Sequence, residues 1–167
     1  LRVRTTLDLD IQQKAESILR EELEKIKYLN VSNGAILVTK PSTGEVISMV
    51  GSVDYYASPS GAFNVTVAKR QPGSSVKPIM YSLALEKNYT AVSLINDAPT
   101  VFNISGSEPY RPVNYDGRFH GMVTLRSALA NSLNIPAVKV LNTVGVSNFV
   151  QHAKKFGITS WGNPDNY

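Results

Sequence analysis

One short stretch of the sequence carries the residue types that nucleophilic catalysis needs. Residues 70–78 read Arg-Gln-Pro-Gly-Ser-Ser-Val-Lys-Pro, and Ser74 is the only serine with a lysine, Lys77, three positions further on. Residues three apart share one face of a helix, so the Ser74 hydroxyl and the Lys77 amine can meet as nucleophile and base. Pro78 is tolerated only in a first helical turn, so we expect a helix to begin near Ser74 or Ser75. Ser74 would then lie at the positive end of the helix dipole, where a developing oxyanion is stabilised.

A second stretch, Ser132-Leu133-Asn134, is the only Ser-x-Asn in the chain. It falls between two helical patterns, and in an extended turn its hydroxyl and its amide point the same way. The hydroxyl can relay a proton, and the amide can donate to a carbonyl and accept from a lysine. Both stretches also have an ordinary explanation, because serine and asparagine cap and interrupt helices without any catalytic role.

The first half of the chain predicts a helix and a hairpin. Residues 2–7 alternate like a strand and end at Asp8, a good helix-capping residue. Apolar residues then recur at helical spacing to near Tyr28, which indicates a surface helix of about five turns. Residues 35–39 and 45–50 are short runs of strand formers on either side of a Pro-Ser-Thr-Gly turn, so they predict a β-hairpin.

The second half predicts helices on either side of a long irregular segment. Apolar positions continue at helical spacing from Lys77 to near Asn88, so this helix should be central and hold Ser74 on rigid structure. Residues 91–120 contain three prolines and two glycines and are expected to be irregular, with Tyr110, Asn114 and Tyr115 available to line a cleft. Further helices are predicted from Thr124 through Leu129, from Ile135-Pro136 to Gly145, and, capped by Ser147, from Phe149 to Phe156.

Composition bounds the class of protein. The 167 residues are 43% hydrophobic and 18% charged, which fits one globular domain over residues 1–167. The formal net charge of +4 comes from scattered side chains, so the sequence does not predict nucleic-acid binding. There are no cysteines, and His120 and His152 lie far apart, so we predict no metal site and no cofactor. No apolar run approaches the length of a membrane span.

Further fragments surround the two motifs in a fixed order. They are Gly34-Ala35-Ile36-Leu37-Val38, Thr43-Gly44-Glu45-Val46-Ile47, Tyr110-Arg111-Pro112-x-Asn114-Tyr115, Gly121-Met122-Val123-Thr124-Leu125-Arg126, and the run that leads through Ser132-Leu133-Asn134 to Val138. In this combination, from Thr5 to Gly157, the sequence resembles the transpeptidase domain of class A, bifunctional penicillin-binding proteins. The resemblance implies an α+β fold. It would be the N-terminal part of the penicillin-binding and serine β-lactamase-like fold, with helices on an antiparallel sheet that is incomplete here.

The resemblance also implies a role for each motif residue. Ser74 would attack the D-Ala-D-Ala carbonyl of a peptidoglycan stem peptide, and its own N–H would be one oxyanion-hole donor. Lys77 would be the base in acylation, with a pKa lowered by burial and by a neighbouring cation. Ser132 would pass the proton toward the leaving group, while Asn134 would hold the substrate amide and orient Lys77. Tyr115, with Ser74 and Asn134, is expected to contact substrate. β-Lactams mimic D-Ala-D-Ala and would acylate Ser74.

The sequence departs from the family pattern in what it lacks. The family's third motif, Lys-Thr/Ser-Gly, is absent, and Lys40-Pro41-Ser42-Thr43-Gly44 has the wrong spacing to replace it. We therefore expect residues 1–167 to be the N-terminal half of a transpeptidase domain that needs the missing C-terminal half and does not turn over substrate alone. The parent protein is expected to carry a glycosyltransferase domain and a membrane anchor outside this chain. It would act on the extracytoplasmic face of the bacterial membrane.

Two other functions share the same motifs. A serine β-lactamase or a penicillin sensor of the same fold would also be acylated at Ser74, and a lactamase would add a deacylating base. A non-catalytic binding module that kept the frame is the third alternative. The intact Ser74, Lys77, Ser132 and Asn134 argue against that last alternative.

Overall fold

The computed structural model describes residues 2–57, 59–103, 106 and 108–162. They form two compact units, one that ends at Gln71 and one that begins at Pro72, and each unit has its own hydrophobic core. In chain order the elements are α1 (Leu9–Lys25), β1 (Ile36–Thr39), β2 (Val46–Val50), α2 (Lys77–Lys87), β3 (Leu94–Asp97), β4 (Gly121–Thr124), α3 (Leu125–Ala130), α4 (Asn134–Val144) and α5 (Val146–Lys154). No helix in these described ranges is long and apolar enough to cross a membrane.

The first unit packs α1 on the hairpin of β1 and β2. Asp8 caps the helix, because its side chain accepts a hydrogen bond from the Ile11 N–H at 3.1 Å. Ala15 and Leu19 on one face of α1 are buried together with Val50 of β2. The two strands are antiparallel, as their sequence patterns predict. The predicted helix and hairpin are therefore confirmed.

The strand predicted for residues 2–7 is wrong. Every residue of this segment is exposed, so its alternating side chains have no core face to bury. The segment instead hydrogen-bonds to β2 at single points. The Thr6 hydroxyl donates to the Val46 carbonyl at 2.6 Å, and the Asp8 N–H donates to the Ile47 carbonyl at 2.9 Å.

The second unit is built around α2. This helix packs against α3, α4 and α5, which confirms its predicted central position. Met80, Leu83 and Ala84 are buried as the periodicity predicts, and Tyr81 is buried with them. The core that they form is completed by Ile95 of β3, Leu125 and Ala128 of α3, Ala137, Val140 and Val144 of α4, and Phe149 of α5.

The segment expected to be irregular, residues 91–120, contains a strand. β3 pairs antiparallel with β4, and Ile95 lies opposite Val123 in the register. β3 is only four residues long and ends in Asn96 and Asp97, residue types that are depleted in strands. The sequence pattern therefore gave no strand signal, and the pairing with β4 decides the structure.

The starts of α4 and α5 differ from the predictions. Thr124 caps α3 as predicted, since its hydroxyl accepts from the Ser127 N–H at 3.2 Å. However, α4 begins at Asn134, so Pro136 is the third helical residue, where its missing N–H is still harmless. α5 begins directly after Gly145, whose φ of 87° allows the sharp turn, and Ser147 lies inside the helix.

Candidate active site

Ser74 lies in a 3₁₀ turn, Gly73–Val76, that leads into α2. The α-helix itself begins at Lys77, later than the sequence predicts, because the preceding turn closes with tighter i to i+3 hydrogen bonds. One of these bonds runs from the Lys77 N–H to the Ser74 carbonyl. Residues three apart are eclipsed in such a turn, so Ser74 and Lys77 still share one side of the backbone.

The two adjacent serines have different environments. The Ser75 hydroxyl donates to the Pro72 carbonyl at 2.6 Å, so its proton is engaged by the backbone. Ser74 is exposed, and its hydroxyl forms no hydrogen bond with any residue that the structure describes. The expected contact between the Ser74 hydroxyl and the Lys77 amine is therefore not formed here. Such contacts tighten in many enzymes only when substrate binds.

The Lys77 side chain is buried and joins the two motifs. With 8% of its surface exposed, it is one of the few buried charged side chains among the described residues. Its Nζ lies 2.6 Å from the Ser132 carbonyl oxygen, 3.2 Å from Ser132 Oγ and 2.7 Å from Asn134 Oδ1. The structure thus brings together Lys77, Ser132 and Asn134, three of the four predicted catalytic residues, although they lie far apart in the sequence.

These contacts suit either protonation state of the amine. A lysine ammonium has three donors, which matches the three oxygens. The Ser132 carbonyl and Asn134 Oδ1 can only accept, so a neutral amine would keep its two N–H groups on them. Its lone pair would then face the Ser132 hydroxyl, which can donate. Burial lowers the pKa of Lys77, so the neutral base is more accessible than in an exposed lysine.

Ser132 has a backbone conformation that is unusual for serine. Its φ is 52°, in the left-handed region that glycine normally occupies. The Ser132 N–H donates to the Leu129 carbonyl at 3.0 Å and the Leu133 N–H donates to the Ala128 carbonyl at 2.9 Å, which is the Schellman pattern that ends α3. A strained backbone conformation persists only where the surrounding structure holds it in place, and such conformations cluster at functional sites.

Asn134 is the first residue of α4, and its side chain is fixed at both ends. Its Oδ1 accepts from Lys77, and its Nδ2 donates to the Val113 carbonyl at 2.9 Å. One amide N–H of Asn134 is therefore used within the protein, and the other forms no hydrogen bond with a residue that the structure describes, so it can meet a substrate carbonyl.

Tyr115 lies on a pocket next to the Ser132 loop. The pocket has a volume of about 310 Å³. The Tyr115 side chain is fully exposed and so accessible to a ligand, while its contact with substrate remains a prediction. The pocket is lined by Asn114, Tyr115, Asp116, His120, Val123, Ser127, Asn131, Ser132 and Leu133. Among the described residues there is no cluster of side chains that could hold a metal ion.

Sequence reasoning missed a polar cluster beneath this pocket. Asp97 is completely buried, and its carboxylate accepts from Asn114 Nδ2 at 3.0 and 2.8 Å. His120 approaches the same carboxylate with its backbone N–H at 3.0 Å and with Nδ1 at 2.6 Å. The sequence singles out only Asn114 of this cluster, as a possible cleft residue, and all three residues lie in the segment expected to be irregular.

The sequence that forms this site matches a known protein family. A model of the penicillin binding protein transpeptidase domain matches residues 34–166. The chain therefore belongs to the family of penicillin-binding protein transpeptidase domains. The family resemblance read from the sequence is confirmed.

Individual relatives show the same relationship. The chain is 40% identical over 162 residues to penicillin-binding protein 2D of Bacillus subtilis (strain 168), a match that covers 96% of this chain and 23% of that protein. The chain thus spans about a quarter of the length of this relative.

Solved structures share the fold. The crystal structure of penicillin-binding protein 1A from Haemophilus influenzae superposes with a TM-score of 0.69 at 32% identity, over 81% of this chain and 19% of that one. Penicillin-binding protein A from M. tuberculosis, solved as a penicillin G acyl-enzyme complex, gives a TM-score of 0.77 at 23% identity, over 93% of this chain and 40% of that one. The predicted α+β fold of the penicillin-binding and β-lactamase-like type is confirmed.

Proposed function

We propose that this chain supplies the acylation machinery of a serine DD-transpeptidase that cross-links peptidoglycan stem peptides. The observation that carries the proposal is the buried Lys77 amine, which is hydrogen-bonded to both Ser132 and Asn134. A lysine held in this way serves as a base only if its pKa is lowered, and burial lowers it.

In the proposed acylation, Ser74 Oγ bonds to the carbonyl carbon of the penultimate D-alanine of a stem peptide. Lys77 takes the hydroxyl proton, and the Ser74 N–H donates to the oxyanion. The peptide bond to the terminal D-alanine breaks as the Ser132 hydroxyl gives its proton to the leaving nitrogen and takes up the proton that Lys77 removed from Ser74. Asn134 holds the substrate amide, and Tyr115 lines the approach to the Ser132 loop. The products are an ester on Ser74 and free D-alanine.

The second half-reaction releases the ester. An amine of a neighbouring stem peptide attacks the Ser74 ester carbonyl, forms a new peptide bond and returns the proton to the serine oxygen. Attack by water in place of the amine would give carboxypeptidase activity from the same intermediate.

β-Lactams would form an ester on the same Ser74 oxygen. The M. tuberculosis neighbour is a penicillin G acyl-enzyme complex, which supports acylation by penicillin in this fold. The exposed Ser74 hydroxyl, unlike that of Ser75, is free to make the corresponding bond in this chain.

The remaining parts of the reaction centre are assigned outside the chain. We infer that residues 1–167 are part of a transpeptidase domain, that the Lys-Thr/Ser-Gly strand follows in the parent protein, and that this stretch alone is inactive. The relatives that it matches are much longer penicillin-binding proteins, which supports this assignment. The parent would also be a peptidoglycan glycosyltransferase, anchored in the membrane with both activities on the extracytoplasmic side, where peptidoglycan lies.

The decisive experiment supplies the full-length parent protein with a pentapeptide stem substrate, with and without an amine acceptor, and identifies the products by mass spectrometry. Cross-linked dimer together with free D-alanine is the expected result. Rapid turnover of the chromogenic cephalosporin nitrocefin without dimer would identify a β-lactamase instead. A stable penicillin adduct with neither product would identify a sensor or binding module.

A further inference from the structure

The first turn of α4 is capped by a residue from a different part of the chain. Leu133, which precedes the helix, forms no side-chain cap. Instead, Asn114 Oδ1 accepts the Asn134 N–H at 2.8 Å and approaches the Ile135 N–H at 3.3 Å. These two N–H groups have no partner inside the helix, because its first four amides cannot bond to an earlier turn. The Asn114 side chain therefore caps the N-terminus of α4, although Asn114 is not adjacent to this helix in the sequence.

The amide of Asn114 cannot turn around. Only 3% of the residue is exposed, and its Nδ2 donates to both oxygens of Asp97 and to the Arg118 carbonyl at 2.8 Å. A carboxylate and a carbonyl only accept, so they force Oδ1 toward α4. Burial by itself would raise the pKa of Asp97, but the hydrogen bonds from Asn114 and His120 outweigh burial and keep its pKa below the ordinary value. The acceptor that orients Asn114 is thus an ionised carboxylate.

The same segment also holds the Asn134 side chain. The carbonyl of Val113, next to Asn114, accepts from Asn134 Nδ2 at 2.9 Å. Asn134 is therefore gripped through its backbone N–H and its side-chain N–H by two consecutive residues. The other polar atom of its side chain, Oδ1, is directed at the Lys77 amine. Any loosening of Asn114 would move the oxygen that contacts Lys77.

We propose that Asn114, oriented by Asp97, is a positioning residue that fixes the Ser132–Asn134 loop against Lys77. The two residues act through the loop and do not touch the reacting atoms. The expected effect on the rate of Ser74 acylation rests on the proposed transpeptidase function. The expected effect on the order of the Ser132–Asn134 loop does not depend on that function.

Two single variants and their combination test the proposal in the full-length parent protein. Asn114→Asp keeps an acceptor for α4 but places a second carboxylate against Asp97. Asp97→Asn keeps the size of the buried side chain. Because an asparagine can both donate and accept, it no longer fixes the orientation of the Asn114 amide. The double variant Asp97→Asn/Asn114→Asp restores a donor facing an acceptor, at the expense of the contact with the Arg118 carbonyl.

The first readout is hydrogen–deuterium exchange of the Asn134 and Ile135 amides, followed by mass spectrometry of short peptides. The second is the rate constant of acylation by a fluorescent penicillin. We expect Asn114→Asp to speed exchange and to slow acylation by about tenfold or more, the effect of losing a buried hydrogen bond to a charged group. Asp97→Asn should change both in the same direction to a smaller extent, and the double variant should recover most of the loss.

Asn148 provides a matched control. Its amide donates to the Val144 carbonyl at 2.8 Å, at the opposite end of α4, so Asn148→Ala removes a comparable hydrogen bond away from the site. This variant should leave acylation unchanged. Wild-type exchange and acylation in Asn114→Asp would overturn the proposal, as would a double variant no better than the singles.

The two proposals fail in different ways. If the wild-type protein is not acylated at all, the proposed function is wrong, and exchange at Asn134 and Ile135 still decides whether Asn114 holds the loop. If Asn114→Asp does not fold, the comparison of Asp97→Asn with the double variant decides the same question.

Discussion

The Lys77 amine and Asn134 Oδ1 lie 2.7 Å apart, although the two residues are separated by 57 positions in the sequence. The amide oxygen is a neutral acceptor, so it orients the lysine without adding a negative charge that would favour the ammonium form. An oriented lysine with a lowered pKa is what the proposed base requires.

Replacing this neutral oxygen by a carboxylate should change the pH dependence of acylation. Lys77 acts as a base only when it is deprotonated, and burial lowers its pKa below 10.5. The wild-type acylation rate should therefore rise at a lower pH than it would with an exposed lysine as the base. In Asn134→Asp a negative charge next to the amine would raise the pKa of Lys77 and move that rise to higher pH. The measurement is the acylation rate by a fluorescent penicillin over a pH series.

A charge control is available on the same loop. Asn131 bonds to the Ser127 carbonyl and hydroxyl and does not contact Lys77. Asn131→Asp should therefore move the pH profile much less than Asn134→Asp. Equal shifts in the two variants would show that the Lys77 contact with Asn134 is not the cause.

The left-handed conformation of Ser132 should affect the free energy of unfolding of variants at this position. Glycine adopts a φ of 52° without steric cost, whereas alanine has the same Cβ clash as serine. Ser132→Gly should therefore have a larger free energy of unfolding than Ser132→Ala, by about 1 kcal/mol. Urea denaturation of the two purified variants measures the difference.

The same pair of variants separates strain from chemistry. Both substitutions remove the hydroxyl, so both should slow acylation whatever their stability. An alanine variant as stable as the glycine variant would mean that the turn after α3 does not impose the left-handed conformation.

The two motifs could be predicted from the sequence, but their contact could not. The spacing of Ser74 and Lys77 and the Ser-x-Asn break are local patterns, and both recur in the structure at a helix start and a helix junction. The hydrogen bonds from Lys77 to Ser132 and Asn134 depend on how α2 packs against α4, which no local pattern encodes. The residue-level roles remain predictions, and so does the single domain over residues 1–167.

The polar cluster of Asp97, Asn114 and His120 was beyond sequence reasoning for a different reason. Its residues come from the end of β3, from a loop and from the residue before β4, and they meet only because the two strands pair. The 3₁₀ turn before α2 was missed because Pro78 restricts where a helix can begin without distinguishing one kind of helical turn from another.

His120 should make stability depend on pH. Its hydrogen bond to Asp97 raises the pKa of His120 above 6.5, with a further contribution from Asp116, whose carboxylate lies 3.1 Å from Nε2. A raised pKa stabilises the folded state fully below pH 6.5, and this stabilisation is lost as the pH rises through the folded-state value. The melting temperature of His120→Gln should therefore fall furthest below the wild type near pH 6 and approach it at alkaline pH.

Asp116→Asn is the matched variant for this measurement. It removes one of the two carboxylates next to His120 and leaves the contact with Asp97 in place, so its pH dependence should lie between those of the wild type and His120→Gln. A difference between wild type and His120→Gln that does not change with pH would contradict the assignment.

The identity of the acylated serine decides whether Ser74 is the nucleophile. The full-length parent protein would be treated with penicillin and digested, and the modified residue located by tandem mass spectrometry in the wild type, Ser74→Ala and Ser75→Ala. We expect an adduct on Ser74 in the wild type and in Ser75→Ala, and none in Ser74→Ala, because the Ser75 hydroxyl is bonded to the Pro72 carbonyl. An adduct that persists in Ser74→Ala and disappears in Ser75→Ala would contradict this expectation.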